Sequence, residues 1–204
     1  MKLGDPSVQM NVETIPTGSL SLDIALGLSE VGTLSFTEVS CGDYGLDMAT
    51  RHPVFPNLAF LTAPVNCRAE DIDKTAFFDM LRTARTQFRY IFLDAPAGID
   101  AGFRLSAAYA DKVILVTNGD AAAIRDAART AQILEAMGKP DVRLIVNRID
   151  KKFFKAIGLT VDDVMDEAGL PLLGIVPEDS SVTLAAAFEK PLIAYTKKGA
   201  AAAC

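Results

Sequence analysis

From about residue 57 onward, short apolar runs alternate with longer segments in which apolar residues recur at helical spacing. The runs predict strands near residues 57–62, 90–94, 112–117, 142–147 and 172–176. The longer segments predict helices over residues 70–87, 101–109 and 121–137, a helix from Thr160 to Gly169, and a last helix from Ser180 or Ser181. This alternation predicts an α/β fold, a parallel sheet flanked by helices.

Two segments need separate interpretation. The run Tyr90–Leu93 is apolar throughout, which is typical of a strand buried on both faces. The first fifty residues lack the later rhythm: residues 17–23 suggest a turn and a helix cap, and the alternating residues 33–39 fit a strand or a short helix. We therefore expect residues 1–30 to form a leader, residues 31–195 the α/β domain, and residues 196–204 a low-complexity tail.

Composition narrows the class of protein. Half of the 204 residues are hydrophobic and 23% are charged, as in a folded domain. The net charge of −6 argues against a nucleic-acid partner, because such binding depends on clustered Lys and Arg. Three widely spaced cysteines (Cys41, Cys67 and Cys204) fit neither a disulfide framework nor a zinc site, which indicates a reducing, cytoplasmic setting.

Polar residues follow three of the predicted strands, where ligands bind in parallel sheets. Asp94 follows the most apolar strand, and a carboxylate there can hold Mg²⁺ through water, although an Asp after a strand is equally often a helix cap. Asn147 ends another strand and can pair with a purine edge. Residues 177–179 end the last strand and could present main-chain groups to a ring.

Six motifs in this order resemble the MinD/ParA family of deviant Walker-A P-loop ATPases over residues 26–195. They are residues 88–99 (FRYIFLDAPAGI), 110–117 (ADKVILVT), 124–127 (IRDA), 146–148 (VNR), 161–164 (VDDV) and 174–179 (GIVPED).

The resemblance implies an ATP and Mg²⁺ site. In it Asp94 would be the Walker-B carboxylate and metal ligand, Gly98 would lie in the switch that senses the γ-phosphate, and Asn147 would contact adenine. The implied cofactor-binding residues are Asp94, Pro96, Gly98, Asn147, Arg148, Pro177, Glu178 and Asp179. It also implies a homodimer or a regulator protein of division or positioning as partner, and a place in the cytoplasm or at the inner face of the membrane.

The sequence departs from the family at its start. The family opens with a strand and a KGGxGKT/S phosphate loop, and this chain has no such segment and no clear equivalent of the switch-I aspartate. Instead, residues 1–27 resemble the start of RecA recombinases, with a changeover within residues 22–28. A natural fusion, an engineered chain and a sequence assembly error would all produce this pattern.

The departure changes the expected chemistry. Micromolar ATP binding needs about 8 kcal/mol, whereas each neutral hydrogen bond to adenine contributes about 0.5–1.5 kcal/mol. Without a lysine and an amide nest for the phosphates, we expect neither tight ATP binding nor hydrolysis. The lost strand lies beside the Walker-B strand in the family, and residues 33–39 are the best candidate to replace it.

Two functions, each from a different class of protein, are compatible with the sequence. One is an ATP-dependent protein of division-site placement or cargo positioning. The other is a nonenzymatic remnant that acts only through protein contacts.

Three further segments carry expectations. Residues 196–199 lead into alanines without the apolar face of a membrane-binding helix, so we expect no attachment through the tail. The lysines and phenylalanines of residues 151–155 form either a solvated loop with two apolar anchors or a contact to a membrane or nucleic acid. Phe77, Phe78 and Met80 are expected in the core, and His52 in a loop.

Overall fold

A computed structural model describes residues 12–15 (backbone only), 34–52, 55–64, 67–96, 98–188 and 190–203. The turn and cap expected at residues 17–23, and most of the RecA-like leader, lie outside these ranges. The chain divides into two compact units, one formed by residues 1–109 and 186–191 and the other by residues 110–185 and 192–204. The expected division into leader, domain and tail stays a prediction.

The described strands and helices alternate along most of the chain. The strands are β1 (Val12–Ile15), β2 (Thr50–Arg51), β3 (Leu58–Phe60), β4 (Tyr90–Leu93), β5 (Val113–Asn118), β6 (Val142–Ile149) and β7 (Leu172–Pro177). The helices are α1 (Phe36–Ser40), α2 (Lys74–Gln87), α3 (Ala101–Tyr109), α4 (Ala121–Ala136), α5 (Lys151–Ile157), α6 (Val161–Ala168), α7 (Ser180–Ala187) and α8 (Leu192–Tyr195). Short 3₁₀ turns cover Leu46–Met48, Ala69–Asp71 and Ala201–Ala203. The predicted α/β class is confirmed.

Each unit contains one sheet of described strands, and the parallel sheet flanked by helices that the sequence predicts is confirmed in the second unit. The first unit holds a four-stranded sheet in the order β2-β3-β1-β4. Strand β1 pairs in parallel with both β3 and β4, and β2 pairs antiparallel with β3. The second unit holds the parallel sheet β5-β6-β7.

The strand beside β4 comes from the leader and not from residues 33–39. Val12–Ile15 aligns with Tyr90–Leu93 residue by residue. Residues 33–39 instead supply one bridge, Ser35 to Thr62, and then helix α1. The helix forms because the Ser35 hydroxyl caps the Glu38 amide while the Glu38 carboxylate accepts from the Ser35 amide at 2.8 Å, a capping box.

The core of the first unit packs α1 and α2 against β3. Phe36 meets Phe77 edge to face, with ring centroids 5.3 Å apart, and Phe77 contacts the Tyr109 ring in the same way. Met80 is buried as expected, but Phe78 is 48% exposed, so its assignment to the core is wrong. It lies one position past the buried stripe of α2, where its ring contacts the Tyr109 ring at a tilt of 35°, with centroids 5.6 Å apart.

Strand β4 is not buried on both faces as the sequence suggested. Tyr90 and Phe92 are 38% and 47% exposed, whereas the alternate residues Ile91 and Leu93 pack on the core of the first unit. Within the described part of the chain, β4 has a sheet partner on one side only, namely β1. An edge strand with one covered face explains this alternation.

The second unit packs α4, α5 and α6 on one face of its sheet. Leu144 and Val146 of β6 are fully buried there, together with Ile124 of α4 and Val164 of α6. On the other face, Ile114 and Val116 of β5 are exposed. The core is therefore one layer of helices on one face of a parallel sheet.

Helix α5 corrects the expectation of a loop at residues 151–155. The Asp150 carboxylate caps it by accepting from the Lys152 amide at 2.8 Å, and Gly158 ends it in the left-handed conformation at φ 68°. Phe154 is buried, but Phe153 is 49% exposed, so the segment has one apolar anchor and not two.

Burial predicts the stability of the second unit. Leu144→Ala removes a fully buried side chain and should lower the free energy of unfolding by about 2–5 kcal/mol. Leu173→Ala, on the neighbouring strand at 55% exposure, is the matched control and should cost less than about 1 kcal/mol. Urea unfolding followed by circular dichroism measures both, and equal losses would contradict this account of the core.

The capping box of α6 predicts an acid dependence. Hydrogen bonds from the Thr160 hydroxyl and amide lower the pKa of Asp163, so the folded state favours the carboxylate. This contribution is present above the ordinary pKa of 3.8 and is lost as pH falls through the lowered value. Asp163→Asn should therefore flatten the fall of the melting temperature below about pH 4.5 relative to Asp166→Asn on the same helix. Parallel curves for the two variants would contradict the assignment.

Candidate functional site

The first group of predicted residues follows β4. Asp94 comes directly after Leu93 and is exposed, and Pro96 is exposed two residues later. Ala97 lies outside the described residues. The segment continues through Gly98 into α3, so the predicted Walker-B carboxylate stands at the carboxyl end of a strand, as ligand sites in parallel sheets require.

Two glycines shape this loop. Gly98 has φ 100°, a conformation that side chains with a Cβ rarely adopt. A Cβ on Gly102 would lie 2.8 Å from Cγ of Pro96, so the first turn of α3 can approach the loop only with glycine there. Position 98 thus needs glycine because of its backbone conformation. Position 102 needs glycine because Pro96 leaves no room for a Cβ.

The second group lies at the carboxyl ends of β6 and β7. Asn147 and Arg148 are within the last three residues of β6 and do not follow it, a small difference from the prediction. Ile149 pairs with Pro177, and the Glu178 amide donates to the Ile149 carbonyl at 3.1 Å. This pairing brings Arg148 next to the Glu178–Asp179 segment.

Arg148 has an unusual backbone for a residue with a long side chain. Its φ is 55°, in the left-handed region, and the register of β6 with β7 is irregular between Val146 and Ile149. Its Nε donates to Oε2 of Glu178 at 2.8 Å, and this carboxylate raises the pKa of the guanidinium. The local bulge therefore turns Arg148 towards the end of β7.

The Asp179 carboxylate accepts hydrogen bonds from two backbone amides. Its Oδ2 accepts from the Ala201 amide at 3.0 Å and its Oδ1 from the Ser181 amide at 2.8 Å. These amides, Ala201 first, hold the pKa of Asp179 below its ordinary value. Both carboxylate oxygens are thus occupied by backbone donors of the same unit.

Sequence reasoning missed the polar end of β5. Asn118 is exposed and lies opposite Asn147 in the ladder. The next residue, Gly119, is buried, and a Cβ there would overlap the Phe154 ring. The signal was present in the sequence, because Asn118-Gly119-Asp120 ends a predicted strand as Asn147 does.

The geometry allows a test of the implied Mg²⁺ and nucleotide. Among the described residues no group of three or more His, Cys, Asp or Glu side chains could hold a metal. A site with one carboxylate ligand suits Mg²⁺ where substrate phosphates complete the coordination shell. From residue 3 to residue 73 the sequence contains no lysine. The described residues at the ends of β6 and β7 suit the base of a nucleotide, and residues 3–73 supply no lysine for its phosphates.

A groove of about 430 Å³ lies at the other end of the second unit's sheet. It is lined by the last turns of α4, the end of α6, the start of β6 and the loop that leads into β7, with Glu135, Asp141, Arg143 and Glu167 on its walls. Asp141 accepts from Arg143 at 3.1 Å and Lys112 at 3.2 Å, and these two cations lower its pKa. Because this groove is at the amino ends of the strands, it is separate from the predicted site.

Sequence comparison finds relatives over most of the chain. The chain is 32% identical over 182 residues to the septum site-determining protein MinD of Synechocystis sp., which covers 88% of this chain and 68% of that protein. It is 34% identical over 183 residues to a Tupiella akineta protein named for MinD, covering 88% and 60%. The chain thus spans about 60–68% of the length of these curated relatives. No protein-family model matches the chain.

Structure comparison finds the same fold. The MinD cell division protein of Aquifex aeolicus superposes with a TM-score of 0.82 at 28% identity, covering 95% of this chain and 80% of that one. The MinC:MinD cell division protein complex of the same organism gives 0.81 at 28%, covering 91% and 76%. The MinD of Pyrococcus horikoshii complexed with Mg-ADP gives 0.76 at 21%, covering 95% and 79%, a likeness of fold alone.

The backbone of Arg148 predicts an unusual substitution series. Arg148→Ala loses an ion pair that is largely exposed and worth at most about 1 kcal/mol, and it keeps the left-handed strain. Arg148→Gly loses the same pair but removes the strain, and should be about 1 kcal/mol more stable than Arg148→Ala. Urea unfolding of the two variants gives the difference, and an alanine variant at least as stable as the glycine variant would contradict it.

Proposed function

This chain belongs to the MinD family, and we propose that it is a division-site placement protein that has lost ATPase activity and acts through protein contacts. The relatives named for septum-site determination support the placement role. The observation that carries the loss of activity is the missing lysine: residues 3–73 contain none, and the sequence has no KGGxGKT/S segment. Phosphoryl transfer depends almost wholly on positioning and charge stabilisation, so this loss removes more than a single contact.

Strand β1 supports the same proposal from the backbone. It pairs with β4, the strand that the resemblance assigns to Walker B. The residues that follow β1 in sequence are Pro16, Thr17, Gly18 and Ser19, without a lysine. The sheet therefore gains a backbone partner at β4, and the sequence that follows this partner brings no lysine. A fold can persist on backbone pairing alone, whereas a bound triphosphate needs cations and free amides.

We assign the remaining site residues to roles that need no hydrolysis. Asn118 and Asn147 offer amide groups to a purine edge at the ends of β5 and β6. Pro177 and Glu178 would line the same ring, with Arg148 fixed by Glu178. In the other unit, we assign the loop of a Walker-B segment to Asp94, Pro96 and Gly98. Asp94 would hold Mg²⁺ only if a triphosphate were bound.

Partner contact is the activity that remains. A MinD of Aquifex aeolicus forms a complex with MinC. We propose a division regulator of that kind, or a second copy of this chain, as the partner here. No helix in the described part of the chain is long and apolar enough to cross a membrane.

A phosphate-release assay on the full chain tests the loss of activity. We expect no release from Mg-ATP above the buffer, because residues 3–73 supply no lysine to offset the charge of the triphosphate. Millimolar Mg-ATP should raise the melting temperature by no more than about 1 °C. Even with a millimolar Kd, a ligand at a concentration equal to its Kd adds only about 0.4 kcal/mol to the free energy of unfolding.

Matched variants make the assay specific. Asp94→Asn removes the proposed Walker-B carboxylate, and Asp100→Asn changes an exposed carboxylate in the same loop. Both should behave as the unaltered chain does. Turnover, or a melting shift of several degrees, that disappears in Asp94→Asn and survives in Asp100→Asn would overturn the proposal.

A further inference from the structure

The last described residues are hydrogen-bonded to the rest of the second unit. After α8 the chain turns at Thr196, whose hydroxyl accepts from the Lys198 amide at 3.2 Å. The 3₁₀ turn Ala201–Ala203 follows, with the Ala202 amide donating to the Gly199 carbonyl at 3.2 Å. We name residues 196–203 the tail segment.

A hydrogen bond joins the tail segment to the loop after β7. Ala201 donates its amide to Oδ2 of Asp179, while Oδ1 of the same carboxylate accepts from the Ser181 amide at the start of α7. A charged acceptor with two backbone donors makes short, strong hydrogen bonds. Asp179 thus joins the tail segment to the loop after β7.

Gly199 makes this contact possible. A Cβ on Gly199 would lie 2.7 Å from Oδ2 of Asp179 and 3.2 Å from Cγ2 of Thr196. A larger residue at this position would require the Asp179 carboxylate to shift and would weaken its hydrogen bond to the Ala201 amide. Glycine at this position therefore favours the contact.

We propose that the tail segment is an autoinhibitory strap, closed over the edge at which Asn147, Glu178 and Asp179 would receive an adenine base. A base that packs on residues 177–179 and the tail segment compete for the same loop. Opening the strap should raise the apparent affinity for adenosine, because only the open fraction binds. The competition rests on the proposed role of this edge, whereas the strap itself rests on the contacts alone.

Tryptic cleavage tests the strap. Lys197 and Lys198 lie in the tail segment and are exposed, and cleavage there requires the backbone to detach. In Gly199→Ala and in Asp179→Asn, cleavage should be about tenfold faster than in the unaltered chain, since the open population rises. Gly174→Ala is the control, because a Cβ at Gly174 meets nothing within 4 Å. Amide exchange at Leu144 and Val146 should stay slow in all variants, which separates strap opening from unfolding.

An adenosine titration, followed by the Asn147 side-chain amide in NMR spectra, tests the competition. Adenosine carries no phosphate, so the result is independent of the missing lysine and of the phosphate-release assay. The Kd should be at least about threefold lower in Gly199→Ala than in Gly174→Ala. Equal cleavage rates in all variants would overturn the strap. Faster cleavage with equal Kd values, or with no adenosine binding to either variant, would overturn the competition.

Discussion

The pairing of β1 with β3 and β4 is the constraint on which the first unit depends. Buried backbone amides and carbonyls need partners, and each one left unpaired costs about 1–3 kcal/mol. Val12–Ile15 stands between two strands that come from distant parts of the chain. Without it, β3 would keep only the two-residue strand β2, and β4 would have no partner among the described strands. Four residues of the leader thus hold together a core that spans residues 36–105.

The parts of the fold that were predictable from sequence are those with a strong local pattern. Helix α3 and the strands β4 to β7 have clear apolar runs or periods in the sequence, and α6 has a capping box at Thr160. The origin of β1 was not predictable, because pairing between distant segments leaves little trace in a four-residue run. Helix α5 is different: Asp150 and Gly158 are ordinary helix signals, and the charged appearance of residues 151–155 obscured them.

For the candidate site, sequence predicted which residues end strands but not what those residues contact. Parallel strands bring their carboxyl ends to one edge, so the meeting of Arg148 with Glu178 follows from topology. The left-handed backbone of Arg148 and the contact between Asp179 and Ala201 do not. The first depends on a register irregularity, and the second joins residues 22 positions apart, one of which lies in a run of four alanines. Neither has a period that a sequence pattern can display.

The residues predicted to contact the base differ from a phosphate loop in that they also contribute to the fold. The base side retains amides, a bulge and an ion pair that also serve the ladder between β6 and β7, so those residues contribute to the fold whether or not a ligand binds. A phosphate loop has no such second role, because its lysine and free amides gain their value only from bound anion. Stability of about 5–15 kcal/mol can survive its loss once another strand supplies the backbone partners. Under the proposed function, the architecture that surrounds a nucleotide persists in this chain without the lysine that would offset its phosphate charge.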